Sequence, residues 1–163
     1  MGKENDKKAN NREETPAHAP HARHDEIWVN KFTEDAAQSF RDKVMRQVAE
    51  DPSQPLVIYI DSYGGMVDAL AKMIETLDEV SHRFGTPIIT VCMGKAMSCG
   101  AILLSHGDLR YCGVHSRVMI HEVSSMTWGD VNDMANDAEE SMRLNKYFMG
   151  LLAKNCGIKG GYN

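Results

Sequence analysis

The chain has 163 residues, 42% apolar and 25% charged, the proportions of a single globular domain. Its longest apolar stretches, Ile88 to Met93 broken by Thr90 and Ala101 to Leu104, fall far short of the roughly 20 residues that a membrane-spanning helix needs. With 18 Lys and Arg against 23 Asp and Glu the net charge is −5, which disfavours a broad nucleic-acid surface.

Residues 1–24 carry five basic groups, four acidic groups and three histidines, with no large apolar side chain beyond Met1. Such a segment cannot offset its ordering entropy by burial, so a disordered polar tail is expected there, and a folded domain over 25–163. It has no apolar h-region for secretion, and the cytoplasm is the expected compartment. His18, His21 and His24 recur every third residue, but Pro16 and Pro20 oppose the helix that would align them, so a metal site is not expected.

The body then alternates between strand and helix periods. Ile27 to Val29 reads as a short strand, and Thr33 as the N-cap of a helix to about Glu50, with Glu34 and Asp35 in its first turn. Pro52 and Pro55 close that helix. Leu56 to Ile60 is a β-branched run expected to be a strand buried on both faces, followed by the turn Asp61 to Gly65. Val67, Leu70, Leu77 and Val80 keep a helical period until Gly85-Thr86-Pro87, before a strand Ile88 to Cys92. This is a β-α-β unit.

Further on, Gly94 to Gly100 reads as a turn into a short buried helix at Ala101 to Leu104. Leu109 to Cys112 and Arg117 to His121 are expected strands, and Val131, Met134, Ala138, Met142, Leu144, Phe148, Leu151 and Leu152 mark a long helix to near Cys156. Cys92, Cys99, Cys112 and Cys156 form no C-x-x-C pair, and three lie in apolar runs, as expected of reduced, buried thiols.

Three features fall at the C-terminal ends of expected strands, where open α/β sheets place ligand crevices. Gly64-Gly65 permits a close backbone approach and leaves N–H groups able to face negative charge; its plain reading is a strand-to-helix turn. Ser98 lies in a strand, sharp turn, helix context like that of a nucleophile elbow, although Ala96 stands where G-x-S-x-G has glycine; its plain reading is a helix N-cap. His121 ends a strand, where a hydrogen-bonded structural histidine is the plain reading. Together they supply the parts of acyl transfer: nucleophile, general base and oxyanion donors.

These residues sit in motifs that resemble the ClpP serine peptidases. Ser62-Tyr63-Gly64-Gly65 is similar to that family's S-P-G-G turn, Met93 to Ala101 to its M-G-x-A-A-S-M-G-A elbow, and Val118-Met119-Ile120-His121 to its V-M-I-H strand. The resemblance runs from Ile27 to Gly157, with the three motifs in order. It implies an α/β, ClpP/crotonase-like core of stacked β-α-β units with a long protruding handle helix. It further implies Ser98 as nucleophile, His121 as general base, and the N–H groups of Gly65 and Cys99 as oxyanion hole. The backbone near Gly64, Val67 and Ser124 would pair with the substrate as an added strand.

The implied activity is that of a serine endopeptidase subunit in a self-compartmentalising protease, hydrolysing short or unfolded polypeptides. The partners would be further copies in stacked heptameric rings and an AAA+ unfoldase. No cofactor is implied; no G-x-x-x-x-G-K-[ST] loop occurs, so ATP would enter only through that unfoldase.

The resemblance departs at several positions. The family's triad Asp comes from a segment beyond the handle helix, and no Asp here matches it. A C-terminally incomplete chain, recruitment of Asp61, Asp130 or a backbone carbonyl, and a silent ring subunit are the readings that follow. Tyr63, Glu122 and Val123 replace the family's Pro, Gln and Pro. Lys95, three residues before Ser98, raises a Ser-Lys dyad as an alternative. A crotonase-superfamily acyl-CoA enzyme is the rival from another class, sharing the two-donor oxyanion hole without a use for Ser98 and His121.

Overall fold

A computed structural model describes residues 26–121 and 131–158, with the side chains of 131–138 excepted. The expected tail, Ser124, Glu122, Val123 and Asp130 lie outside the described residues. The elements are β1 (Ile27–Val29), α1 (Glu34–Glu50), β2 (Leu56–Ser62), α2 (Val67–Phe84), β3 (Ile88–Met97), α3 (Cys99–Ser105), β4 (Leu109–Cys112), β5 (Arg117–Met119) and α4 (Val131–Asn155).

Local chemistry sets the helix ends. Thr33 has extended backbone and its Oγ1 accepts a hydrogen bond from the Ala36 N–H at 3.3 Å, while Glu34 and Asp35 face the positive end of α1. Helix α2 ends at Gly85, whose φ of +68° is the left-handed cap a β-carbon would disfavour.

All strand pairings are parallel, in the order β1-β2-β3-β4, with β5 also on β3. The β2-α2-β3 segment is the expected β-α-β unit. Strand β3 is longer than the sequence suggests. Its first half pairs with β4 through Ile89 to Cys92, and its second half pairs with β5 through Lys95 to Met97. Residues 94–97, expected as part of a turn, are strand because β5 takes over where β4 stops. Gly94, with φ +99°, falls where the pairing of β3 with β2 shifts register.

The core lies between the sheet and its helices. Ile58, Ile60, Phe40, Val44, Leu70, Met73, Leu77 and Leu103 are all buried there. The expectation that β2 is buried on both faces is corrected. Leu56, Ile58, Ile60 and Ser62 are buried, but the alternate residues Val57, Tyr59 and Asp61 are only partly covered. On that second face Tyr59 stacks on Trp28, ring centres 5.0 Å apart, and Trp28 remains exposed.

Helix α4 is held at its C-terminal half. Phe148 and Met149 are buried, and Arg110 Nη1 donates to the carbonyls of Asn155, at 2.7 Å, and Ser105, at 3.1 Å. Elsewhere on this helix Met142 and Tyr147 are exposed. No helix among the described residues is long and apolar enough to cross a membrane.

Candidate active site

Two connections define the site: β2 to α2 through residues 62–66, and β3 to α3 through Ser98. In the first, the buried Ser62 hydroxyl accepts a hydrogen bond from the Gly64 N–H at 3.1 Å, which fixes the turn. Gly64 and Gly65 have φ of +106° and +150°. A β-carbon on Gly64 would lie 2.8 Å from Ser98 Cβ, and one on Gly65 would lie 2.5 Å from the Phe32 carbonyl oxygen. Both glycines are therefore required by close approach as well as by dihedral. The Phe32 carbonyl also accepts from the Met66 N–H at 2.8 Å, anchoring the turn to the chain after β1.

In the second connection Ser98 has φ +53° and ψ −120°, and it is the one non-glycine residue with positive φ among the described residues. Such backbone costs about 1–3 kcal/mol and persists only where its surroundings enforce it. Here the Ser98 N–H donates to the Met119 carbonyl of β5 at 2.8 Å, and the Ser98 carbonyl accepts from Ala101 at 2.9 Å as α3 begins. Ser98 does stand at the N-cap position of α3, as its plain reading expected, but its hydroxyl makes no capping bond.

His121 follows β5 by two residues and is exposed. A cavity of about 100 Å³ is lined by Ser98, His121, Gly65, Cys99 and Val67, with Leu70, Ile102 and Phe148 as its apolar floor. Five of the residues singled out by sequence thus share one cavity. Gly64 stands behind Ser98, and Ser124 lies outside the described residues. The floor was not named from the sequence as part of a site; Leu70 and Phe148 read only as helix-face residues, because which helices meet under the turns is a tertiary property.

Cys99 joins the two connections. Its buried Sγ–H donates to the Gly65 carbonyl at 3.3 Å, and burial pushes the thiol above its ordinary range. Cys92 is shifted the same way, first by burial. Both thiols hold their protons more tightly in the folded chain than in the unfolded one. As pH rises past the ordinary thiol value of 9.0 the unfolded state deprotonates first, so stability falls there. Thermal unfolding followed from about pH 8 to about pH 10 should show this fall, with a shallower slope in Cys99→Ala.

Lys95 is engaged elsewhere. Its Nζ lies 2.7 Å from Asp61 Oδ1 and 4.5 Å from the centre of the Tyr63 ring. The hydrogen bond to Asp61 raises the Lys95 pKa, opposite to the lowered value a neutral lysine base requires, and this argues against the Ser-Lys dyad. The same bond commits the Asp61 carboxylate, which also covers Gly94, where a β-carbon would meet it at 2.9 Å. The expectation of buried thiols holds for Cys92 and Cys99 but not for Cys112 and Cys156, which are exposed. Among the described residues no group of three His, Cys, Asp or Glu is placed to hold a metal ion.

A strained serine turn, a histidine after the adjoining strand and a double-glycine turn thus meet at one crevice of a parallel sheet. The Clp protease family model matches residues 23–160, most of the length, and the chain belongs to that family.

Proposed function

We propose that the chain is a serine-type endopeptidase subunit. The observation that carries this reading is the shared cavity: Ser98, held in a strained turn with its hydroxyl uncommitted to helix capping, faces the same space as His121, Gly65 and Cys99. In the proposed reaction Ser98 Oγ attacks the scissile carbonyl while His121 takes its proton. The N–H groups of Gly65 and Cys99 receive the oxyanion; that of Cys99 opens α3 and has no intrahelical acceptor by position. His121 then returns the proton to the leaving amine, and water repeats the sequence on the acyl-enzyme.

Backbone from Gly64 to Val67 and near Ser124 would bind an extended peptide as an added strand, giving broad sequence tolerance. Family membership supports polypeptide substrates and an oligomeric particle, with stacked heptameric rings and a separate AAA+ unfoldase as the fuller proposal. No cofactor is required by this chemistry. Hydrolysis of short fluorogenic peptides by the assembled particle, reduced to a small residual rate in Ser98→Ala, tests the reading; turnover near the unsubstituted rate in an equally pure Ser98→Ala sample would refute it.

Helix α4 is the proposed ring-stacking element. Met142 is 65% exposed on a helix whose Phe148 and Met149 are buried. Met142→Lys should therefore lower the sedimentation coefficient toward that of a single ring while leaving the melting temperature within a few degrees. An unchanged particle size would count against this assignment.

A further inference from the structure

The four cysteines include one pair that the peptidase reading does not use. Cys92 of β3 and Cys112 of β4 are register partners on adjacent parallel strands. Neighbouring strands lie about 4.8 Å apart and directly paired residues project to the same face, which puts the two Cα atoms within the range of roughly 4.4–6.8 Å that a disulfide spans. Both are free thiols, Cys92 fully buried and Cys112 exposed.

Their position is where β3 changes partner. The Cys92 carbonyl accepts from Gly113 N–H at 3.0 Å and from Ser116 Oγ at 3.1 Å, and Ser116 Oγ accepts in turn from Gly94 N–H at 2.9 Å. Cys92 Sγ–H points at the Arg117 carbonyl, 3.9 Å away, at the start of β5. Strand β5 is the one that holds the Ser98 N–H through Met119 and leads to His121.

We propose that Cys92 and Cys112 are an oxidation site that a hydroperoxide converts to an intrachain disulfide. The exposed Cys112 sulfur, as thiolate, attacks the peroxide oxygen, breaking the O–O bond to give a sulfenic acid and releasing water or an alcohol. Cys92 then attacks that sulfur and a second water leaves, carrying its proton. Two thiols are oxidised, one peroxide is reduced, and a dithiol reductant reverses the change. The buried Cys92, register partner of Cys112, acts as the resolving thiol.

Closing the link removes the Cys92 sulfur from the Arg117 carbonyl and ties β3 to β4 next to the β5 junction. The coupling to activity rests on the proposed peptidase reading; the disulfide itself does not.

The test treats the reduced full-length protein with hydrogen peroxide, blocks remaining thiols under denaturing conditions and maps peptides by mass. The expected result is loss of two blockable thiols and a Cys92–Cys112 cross-linked peptide, restored by dithiothreitol and absent in Cys112→Ser. Because Cys112 is exposed, that variant avoids disturbing the core. Sulfinic acid at Cys112, links between chains, or a Cys92–Cys112 peptide never formed would overturn the proposal. Fluorophosphonate labelling of the oxidised protein should slow by about tenfold or more relative to the reduced protein. An unchanged rate would overturn the coupling, whereas a reduced protein that never labels would tell against the Ser98 reading and leave the thiol result to stand by itself.

Discussion

Replacing Ser98 by alanine is expected to lower peptide hydrolysis by a factor on the order of 10⁴ or more, with little change in assembly. The size follows from the division of labour in acyl transfer: without the hydroxyl no acyl-enzyme forms, and the oxyanion donors and binding groove retain only a small residual rate. Assembly should survive because the Ser98 side chain makes no capping bond, and its backbone, held by Met119 and by the start of α3, remains available to alanine. The φ of +53° does carry a cost for alanine, but the native serine already bears the same cost. Hydrolysis rates and sedimentation of the two proteins, measured side by side, check both halves of this expectation.

Gly65→Ala should have the largest structural effect among glycine substitutions at the site. The added methyl would sit 2.5 Å from the Phe32 carbonyl oxygen, a backbone atom that itself anchors Met66, so neither partner yields cheaply. To this clash is added the φ of +150°, which a β-carbon disfavours. A loss of about 3 kcal/mol or more is expected, with the turn displaced from Ser98 in whatever fraction remains folded. Gly85→Ala provides the comparison. Gly85 also has positive φ, at +68°, but a β-carbon there meets nothing within 4 Å, so only the backbone cost of about 1–2 kcal/mol applies. Urea unfolding of both variants measures the difference; equal losses would show that the contact with Phe32 is not tight in solution.

The sequence disclosed the order of elements and the residues of the crevice more readily than it disclosed their surroundings. Thr33 and Gly85 mark helix ends through chemistry confined to one turn, and both behave as read. The alternation of β2 could not be read this way, because a run of apolar residues looks the same whether one face or both are covered. The structure shows that its second face carries the partly open Tyr59 and Trp28 stack. The length of β3 was concealed for a related reason: Met93 to Met97 contains a glycine at positive φ and no regular alternation, and it becomes strand only because β5 arrives as a partner.

Cys112 illustrates the same limit, since its apolar neighbours suggest burial while its place on an edge of the sheet exposes it. At the crevice, short motifs flagged Ser98, His121 and the two glycines, because each needs a particular residue type at a particular turn. Phe32 carried no such signal. Its carbonyl forces Gly65 to remain glycine, and main-chain contacts of this kind leave almost no trace in the identity of the residue that makes them. Lys95 is a further case: its spacing from Ser98 suggested a base, whereas the Asp61 carboxylate across the β2–β3 pair keeps it a cation.

In the proposed mechanism the Ser98 hydroxyl is activated at the crevice it shares with His121. Exposing the protein to a fluorophosphonate probe, with Ser98→Ala and His121→Ala alongside and the particle size recorded in the same samples, measures that activation. Covalent labelling of Ser98 is expected in the assembled protein, lost in Ser98→Ala and strongly slowed in His121→Ala. An assembled particle that takes up no label, or takes it up equally without Ser98, would overturn the serine mechanism and leave a ClpP-like subunit without serine chemistry of its own.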